Sequence, residues 1–267
     1  MSANTQAAAA EPLLLRQDNG GVATLTLNRS AQFNSLSRAL MRDLQAELDG
    51  IAADAGVRVV VLAGAGKAFC SGHDLKEMRS DPAKAFQKAL FQQCSELMLS
   101  LVRMPQPVIA RVHGIATAAG CQLVSMCDLA VASDNSRFAV SGVNLGLFCS
   151  TPSVGLARNM GRKQAMEMLL TGEFIDAQSA LSRGLVNRVV PLAQLDEEIA
   201  KLTDSILAKT PVAIKTGKQM FYRQLEMGLE AAYELASETM ACNMMAEDAQ
   251  EGIDAFLAKR KPQWKGR

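Results

Sequence analysis

Histidine is almost missing from this chain, with two residues in 267. Six cysteines, at positions 70, 94, 121, 127, 149 and 242, are scattered without a C-x-x-C pair. Zinc sites and disulfide frameworks both need clustered ligands, so no metal site is expected, and the pattern fits a reducing, cytoplasmic setting. An excess of one charge is also lacking. Lysine and arginine number 28 against 27 acids, and the one basic cluster, Lys259 to Lys261 with Lys265 and Arg267, stands at the very end. Nucleic-acid binding therefore has no support in the sequence. Apolar runs such as Val59 to Ala63 are strand-sized, far short of a membrane span. The first residues lack the basic start and apolar core of a secretory signal, and 1–11 read as a disordered lead-in.

What is present is the material of a substantial core, with 49% hydrophobic residues. Short strands are expected at 13–16 and 22–27, joined through Gly20 and Gly21. Leu40, Leu44, Leu48 and Ile51 repeat at helical spacing behind Ser37, a plausible N-cap, and predict a helix over 38–53. The run VRVVVLA at 57–63 reads as a strand covered on both faces. A helix over 82–103 ends at Pro105 and Pro107, and VIARV at 108–112 is a second buried strand. Beyond Pro152 the pattern is helical, broken by a strand at 185–190, and from Leu192 onward only helices are expected.

Both buried strands run into loops of small residues. The first is GAGKAFCSGHDL at 64–75, where the G-x-G lacks the third glycine and following helix of a dinucleotide site. The second is GIATAAGC at 114–121, ahead of a helix expected at 122–126. Small residues let a ligand approach the backbone and leave N–H groups free at a helix start, which suits an oxyanion. Equally, they permit tight helix packing. Two such loops side by side could aim two N–H groups at one carbonyl oxygen.

These residues resemble the crotonase family, the enoyl-CoA hydratase/isomerase superfamily, from about residue 12 to the end. The matching blocks are LNR at 27–29, KAFCSGHDLKEM at 67–78, ATAAGCQLVSMCD at 116–128, AMEMLLTG at 165–172, the segment 177–190 with GLV at 184–186, and EGIDAFLAKRKP at 251–262. The spellings SGHDLKE, ATAAGCQLV and GVNLGLFCSTP are most similar to the branch called enoyl-CoA hydratase domain-containing protein 3. The resemblance implies an α/β fold, a crotonase-type (ClpP-like) spiral of ββα units over 12–191, with a helical C-terminal region at 192–267 that builds a homo-trimer or hexamer. It also implies an acyl-CoA ligand, with coenzyme A entering as part of the substrate and no tightly bound cofactor.

By motif position, the N–H groups of His73 and Ala119 would stabilise a thioester enolate. Ser71, Gly72, Asp74 and Leu75 would contact the CoA, with Arg29, Gln32 and Phe33 beside them, and Trp264 and Lys265 would reach the adenine of a neighbouring subunit. The family's hydratases carry two glutamates, and here those positions are Gln122 and Gly142. Gln exchanges no proton near neutral pH and Gly offers no side chain, so ordinary hydratase activity is not expected. Substitutes are few: Asp128 reads as a structural hydrogen-bonding residue, the His73 side chain is titratable, and Cys149 and Ser150 lack a recognisable base. An enzyme leaning on the oxyanion hole and a non-catalytic acyl-CoA binder or regulatory pseudoenzyme both fit this pattern.

Overall fold

Strand-forming residues at 59–64 make the centre of the sheet because both of their faces find a cover. In the computed structural model, which describes residues 11–267, β1 (Leu14–Asn19) and β2 (Val22–Leu27) form an antiparallel hairpin. Helix α1 (Arg38–Ala53) follows, capped by the Ser37 side chain, which accepts the Leu40 N–H. Next come β3 (Val59–Gly64), α2 (Leu75–Ser80), α3 (Lys84–Arg103), β4 (Val108–Val112), β5 (Ile115–Thr117) and α4 (Ala119–Met126). They lead to β6 (Leu129–Ser133), β7 (Arg137–Ala139), α5 (Ser150–Asn159), α6 (Arg162–Thr171), β8 (Ile175–Asp176), α7 (Ala177–Ser182) and β9 (Arg188–Val190). Four helices close the chain: α8 (Leu195–Leu207), α9 (Pro211–Gln224), α10 (Leu229–Met244) and α11 (Glu247–Leu257).

The larger sheet has the order β1-β2-β3-β4-β6-β9, parallel throughout except for the first hairpin. Side chains alternate across it. Val60 and Leu62 join the main core with Leu44, Leu97 and Leu101, while Val59 and Val61 meet Leu195, Ile199 and Leu202 of α8 on the other face. In the smaller sheet, β5-β7-β8, the short strands β5 and β7 each follow a longer one, and β8 adds antiparallel to β7. β4–β5–α4 is therefore one strand-strand-helix turn, and β6–β7–α5 is the next. Isolated bridges extend this pattern to the earlier turns, with Cys70 pairing Ala116 and Leu36 pairing His73. The result is the expected spiral of ββα units with a helical C-terminal region.

The expected helix at 38–53 and strand at 108–112 match α1 and β4 residue for residue. The second loop differs: α4 begins at Ala119, not at 122. Ala118 makes the turn ahead of it at φ 50°, so the helix starts three residues earlier. The expected lead-in at 1–11 lies outside the described residues except for its last. No helix among the described residues is long and apolar enough to cross a membrane.

Asp128 ties the C-terminal helices to the spiral. Its carboxylate accepts the Val108 N–H at 2.6 Å, the Lys218 ammonium at 2.7 Å and the Tyr222 hydroxyl at 2.9 Å. Lys218 also donates to the Leu101 and Gln106 carbonyls, both at 2.8 Å. Burial pulls the Lys218 ammonium below its ordinary pKa and Asp128 opposes that shift. The structural role expected for Asp128 is what the hydrogen bonds describe.

Candidate active site

The two small-residue loops lie against each other. Cys70 donates its N–H to the Ile115 carbonyl at 3.1 Å, and its carbonyl accepts the Thr117 N–H at 3.0 Å. Gly120 sits so close that a Cβ there would fall 2.1 Å from the Cys70 carbonyl oxygen, and one on Gly72 would fall 2.9 Å from the Ala118 methyl. Side chains are excluded at both contacts, which explains the run of small residues in the sequence.

This packing brings together the turns that carry His73 and Ala119. Ala119 is the first residue of α4, where an N–H has no partner within the helix. Among the described residues neither the Ala119 nor the His73 N–H makes a backbone hydrogen bond outside a helix or strand. Both stand beside Gly72, and the Ala119 N–H belongs to the positive end of the α4 dipole. Ala118, which has no side-chain cap to offer, holds the turn at φ 50°, ψ −119°, a conformation that favours glycine. Strain of this kind gathers where a backbone group has to be aimed.

The His73 ring packs edge-on to Phe91, with centroids 5.5 Å apart. Neither ring nitrogen has a hydrogen-bond partner. Burial pushes the imidazole pKa down to about 4, offset only in part by the Leu36 carbonyl, so the ring is neutral at pH 7.

The loop around His73 is held by Arg29. Its guanidinium donates to the Ser35 carbonyl at 2.6 Å, the Ser35 hydroxyl at 3.0 Å and Asp74 at 2.9 Å. Asp74 caps α2 by accepting the Lys76 and Glu77 N–H groups. Burial works to raise the Asp74 carboxyl, but Arg29 and these N–H groups outweigh it and hold it below the usual carboxylate range. Backbone bonds from Leu36 to the Gly72 carbonyl and from Asp74 to the Leu36 carbonyl staple the loop on both sides of His73.

Asn34 completes this scaffold and was not singled out in the sequence. It is fully buried at φ 55°, accepts the Arg29 N–H, and donates to the Ala65 and Ala68 carbonyls. Asparagine tolerates the left-handed region, and its place in the turn-like NRSAQFNS was the available signal. Of the other residues expected here, Ser71 donates its N–H to the Phe33 carbonyl and its hydroxyl lies 3.5 Å from the Gln32 carbonyl. Phe33 and Leu75 present exposed apolar side chains beside the loop, at 53% and 52% exposure.

At the two expected acid positions the surroundings differ. Gln122 is 4% exposed, in the first turn of α4, and its Oε1 has no hydrogen-bond partner. Gly142 donates its N–H to Cys149 Sγ at 3.3 Å. A Cβ at Gly142 would fall 2.5 Å from the Leu147 carbonyl oxygen and 2.7 Å from that sulfur. The Thr117 hydroxyl, just ahead of α4, and the Ser141 hydroxyl, next to Gly142 in the chain, lie 3.1 Å apart. Cys149 is buried, its thiol pKa is raised by burial against a lowering by the Gly142 N–H, and the Ser150 hydroxyl donates to the Phe148 carbonyl. Neither residue has the base that a nucleophile needs.

Trp264 and Lys265 are not brought to these loops within the chain. The Trp264 indole donates to the Ala208 carbonyl at 2.9 Å and its ring lies on Gly252. Lys265 donates its N–H to the buried Asp248 and its ammonium pairs with Glu247 at 3.2 Å. Both line a cavity of about 760 Å³ with Arg58, Lys215 and the turn after α1, at the opposite end of β3 from Gly64. All six cysteines are free thiols, and no group of three metal-ligating side chains occurs among the described residues.

The sequence pattern described as Enoyl-CoA hydratase/isomerase matches residues 17–267. The rat mitochondrial enoyl-CoA hydratase domain-containing protein 3 is 45% identical over 244 residues, which are 91% of this chain and 81% of that protein. Among solved structures, an enoyl-CoA hydratase from Mycobacterium smegmatis superimposes with a TM-score of 0.94 at 58% identity, covering 95% of this chain and 99% of its own. The human enoyl-CoA hydratase domain-containing protein 3 gives a TM-score of 0.92 at 45% identity, covering 95% and 100%.

Proposed function

Because the chain belongs to the enoyl-CoA hydratase/isomerase family, the crotonases, we propose that it binds an acyl-CoA thioester and stabilises the thioester enolate with the N–H groups of His73 and Ala119. The observation that carries this reading is the pair of unpartnered N–H groups on two loops packed against each other. Donors held in place before the reaction are typically worth about 3 to 4 kcal/mol each in the transition state. Arg29 and Asp74 act by holding the His73 turn. Phe33 and Leu75 supply apolar surface to the CoA arm, beside Gln32, Ser71 and Gly72.

Ordinary hydration is not the reaction. It needs a group to take a proton from water and one to deliver a proton to the α-carbon, each worth a factor of about 100 to 10,000. Gln122 cannot exchange a proton, Gly142 has no side chain, and the His73 ring is neutral and buried. The reactions left are those that place most of their barrier on the enolate. A non-catalytic acyl-CoA binder is the second reading, favoured by the closed surroundings of Gly142.

The C-terminal helices support assembly into a trimer or hexamer: Phe221, Tyr233, Met245, Phe256 and Leu257 are apolar and exposed. Trp264 and Lys265 then reach a ligand only across such an interface. The deciding experiment is steady-state turnover of crotonyl-CoA beside thermal unfolding with butyryl-CoA. We expect turnover at least 100-fold below that of a two-glutamate hydratase, together with a raised melting temperature. Turnover at ordinary hydratase rates sinks the claim about the acids, and no thermal shift at millimolar ligand sinks both readings.

A further inference from the structure

Arg58 brings an unmatched positive charge to the cavity at the far end of β3. Its guanidinium donates to the Lys209 carbonyl at 2.7 Å, and among the described residues it pairs with no carboxylate. Burial pulls it below its ordinary pKa, and the charge of Asp248 opposes that shift. Lys215 lines the same space. Among the described residues the lysines paired with an acid are Lys201, Lys218 and Lys265, so the Lys215 ammonium has no partner acid either. The acids nearby are already engaged. Asp54 accepts the Gly56 N–H at 2.8 Å and faces Arg16 at 3.9 Å. Asp248 accepts the Thr210 hydroxyl and the Lys265 and Gly266 N–H groups, which fixes the tail as one wall of the cavity. Glu247 holds the Lys265 ammonium. The first turn of α9 forms another wall and adds the positive end of its dipole.

Much of the remaining lining is apolar, with Trp264, Pro105, Pro211 and Ile214. A volume of about 760 Å³ is that of a small-molecule pocket, and apolar walls with a few fixed polar groups are the usual make-up of one. A guanidinium fork matches two oxygens of one oxyanion, and an ammonium adds a point charge for another. Two cations without partner acids call for a dianion, which a phosphate monoester is and a carboxylate is not. We propose that this cavity binds a phosphate monoester with a flat or apolar body, its head on Arg58 and Lys215 and its body along Trp264. The site lies away from the two small-residue loops, and its reading and the acyl-CoA reading can each fail without the other.

Trp264 is the only tryptophan of the chain, so its fluorescence reports on this cavity. The test is a fluorescence titration of wild type, Arg58→Gln and Lys215→Gln with phenyl phosphate, inorganic phosphate and phenol, repeated for wild type with butyryl-CoA present. Phenyl phosphate is expected to give a saturable change, with an affinity about tenfold or more above that for inorganic phosphate or phenol. Arg58→Gln should weaken it about tenfold and Lys215→Gln about threefold, and butyryl-CoA should leave it within about twofold. No saturable change up to about 10 mM phenyl phosphate overturns the inference. An affinity no better than that for inorganic phosphate, or one unchanged in both variants, overturns it too. Loss of the response with butyryl-CoA would place the probe on the thioester's own binding surface, which also decides against a separate site. Lys215 is exposed, so Lys215→Gln and the wild-type titrations keep the test decisive where Arg58→Gln fails to fold.

Discussion

Cys149 Sγ lies 2.7 Å from where a Cβ on Gly142 would stand, while accepting the Gly142 N–H at 3.3 Å. The Leu147 carbonyl closes the same space from another side, 2.5 Å from that Cβ. The second acid position is thus occupied by the chain's own atoms. We expect Gly142→Ala to destabilise the fold by about 1 to 3 kcal/mol through overpacking, measured by urea unfolding. Gly142→Glu, alone or with Gln122→Glu, should not restore crotonyl-CoA hydration. Recovery of hydratase-level turnover in the double variant would show that this segment reopens readily.

Arg29 and Asp74 make a separate prediction. Asp74→Asn weakens the link between the 29–35 turn and the His73 loop and should cost about 1 to 3 kcal/mol of stability. Its telling effect is on the carbonyl. A chromophoric cinnamoyl-CoA thioester bound by the wild type should show a red-shifted absorption, because the two N–H groups polarise the C=O bond. In Asp74→Asn the shift should shrink while affinity for free CoA stays within about twofold. A large loss of CoA affinity with an unchanged spectrum would make Asp74 a direct ligand contact instead.

The buried His73 ring sets a pH dependence. Its folded-state pKa of about 4 lies below the ordinary 6.5, so between these values the unfolded chain binds the proton and the native state does not. Stability from this source is therefore fully present above about pH 6.5 and is lost as pH falls toward 4. The full difference is about 3 kcal/mol. Between pH 7 and pH 4.5, urea unfolding should show wild type losing about 2 to 3 kcal/mol more than His73→Gln, which retains the backbone N–H. Parallel losses in the two proteins would mean that the ring is more accessible to protons than its packing on Phe91 suggests.

How far the chain could be read before folding follows from these cases. α1 was legible because Leu40, Leu44, Leu48 and Ile51 all enter the core and Ser37 caps it. β5 and β7 were not, since three residues carry no period and their pairing partners lie 22 positions apart in sequence, as Ile115 with Arg137. The helix start at Ala119 was hidden by Ala118, whose positive φ is unusual for its residue type. The meeting of the two small-residue loops was legible because small residues follow two buried strands. The roles of Arg29 and Asp74 were not, because a charge that pairs with a ligand and one that pairs within the protein look alike in one dimension. The closure of Gly142 was likewise invisible, being imposed by Leu147 and Cys149 further along.

The bond between Lys218 and Asp128 spans 90 positions of the chain. The Val108 N–H gives that carboxylate one partner as soon as the neighbouring strand is in place, whereas its ammonium partner leaves the ribosome much later. A chain ending near 191 leaves the acid with water in place of Lys218 and Tyr222. This corner of the spiral is therefore finished by helices that are made last.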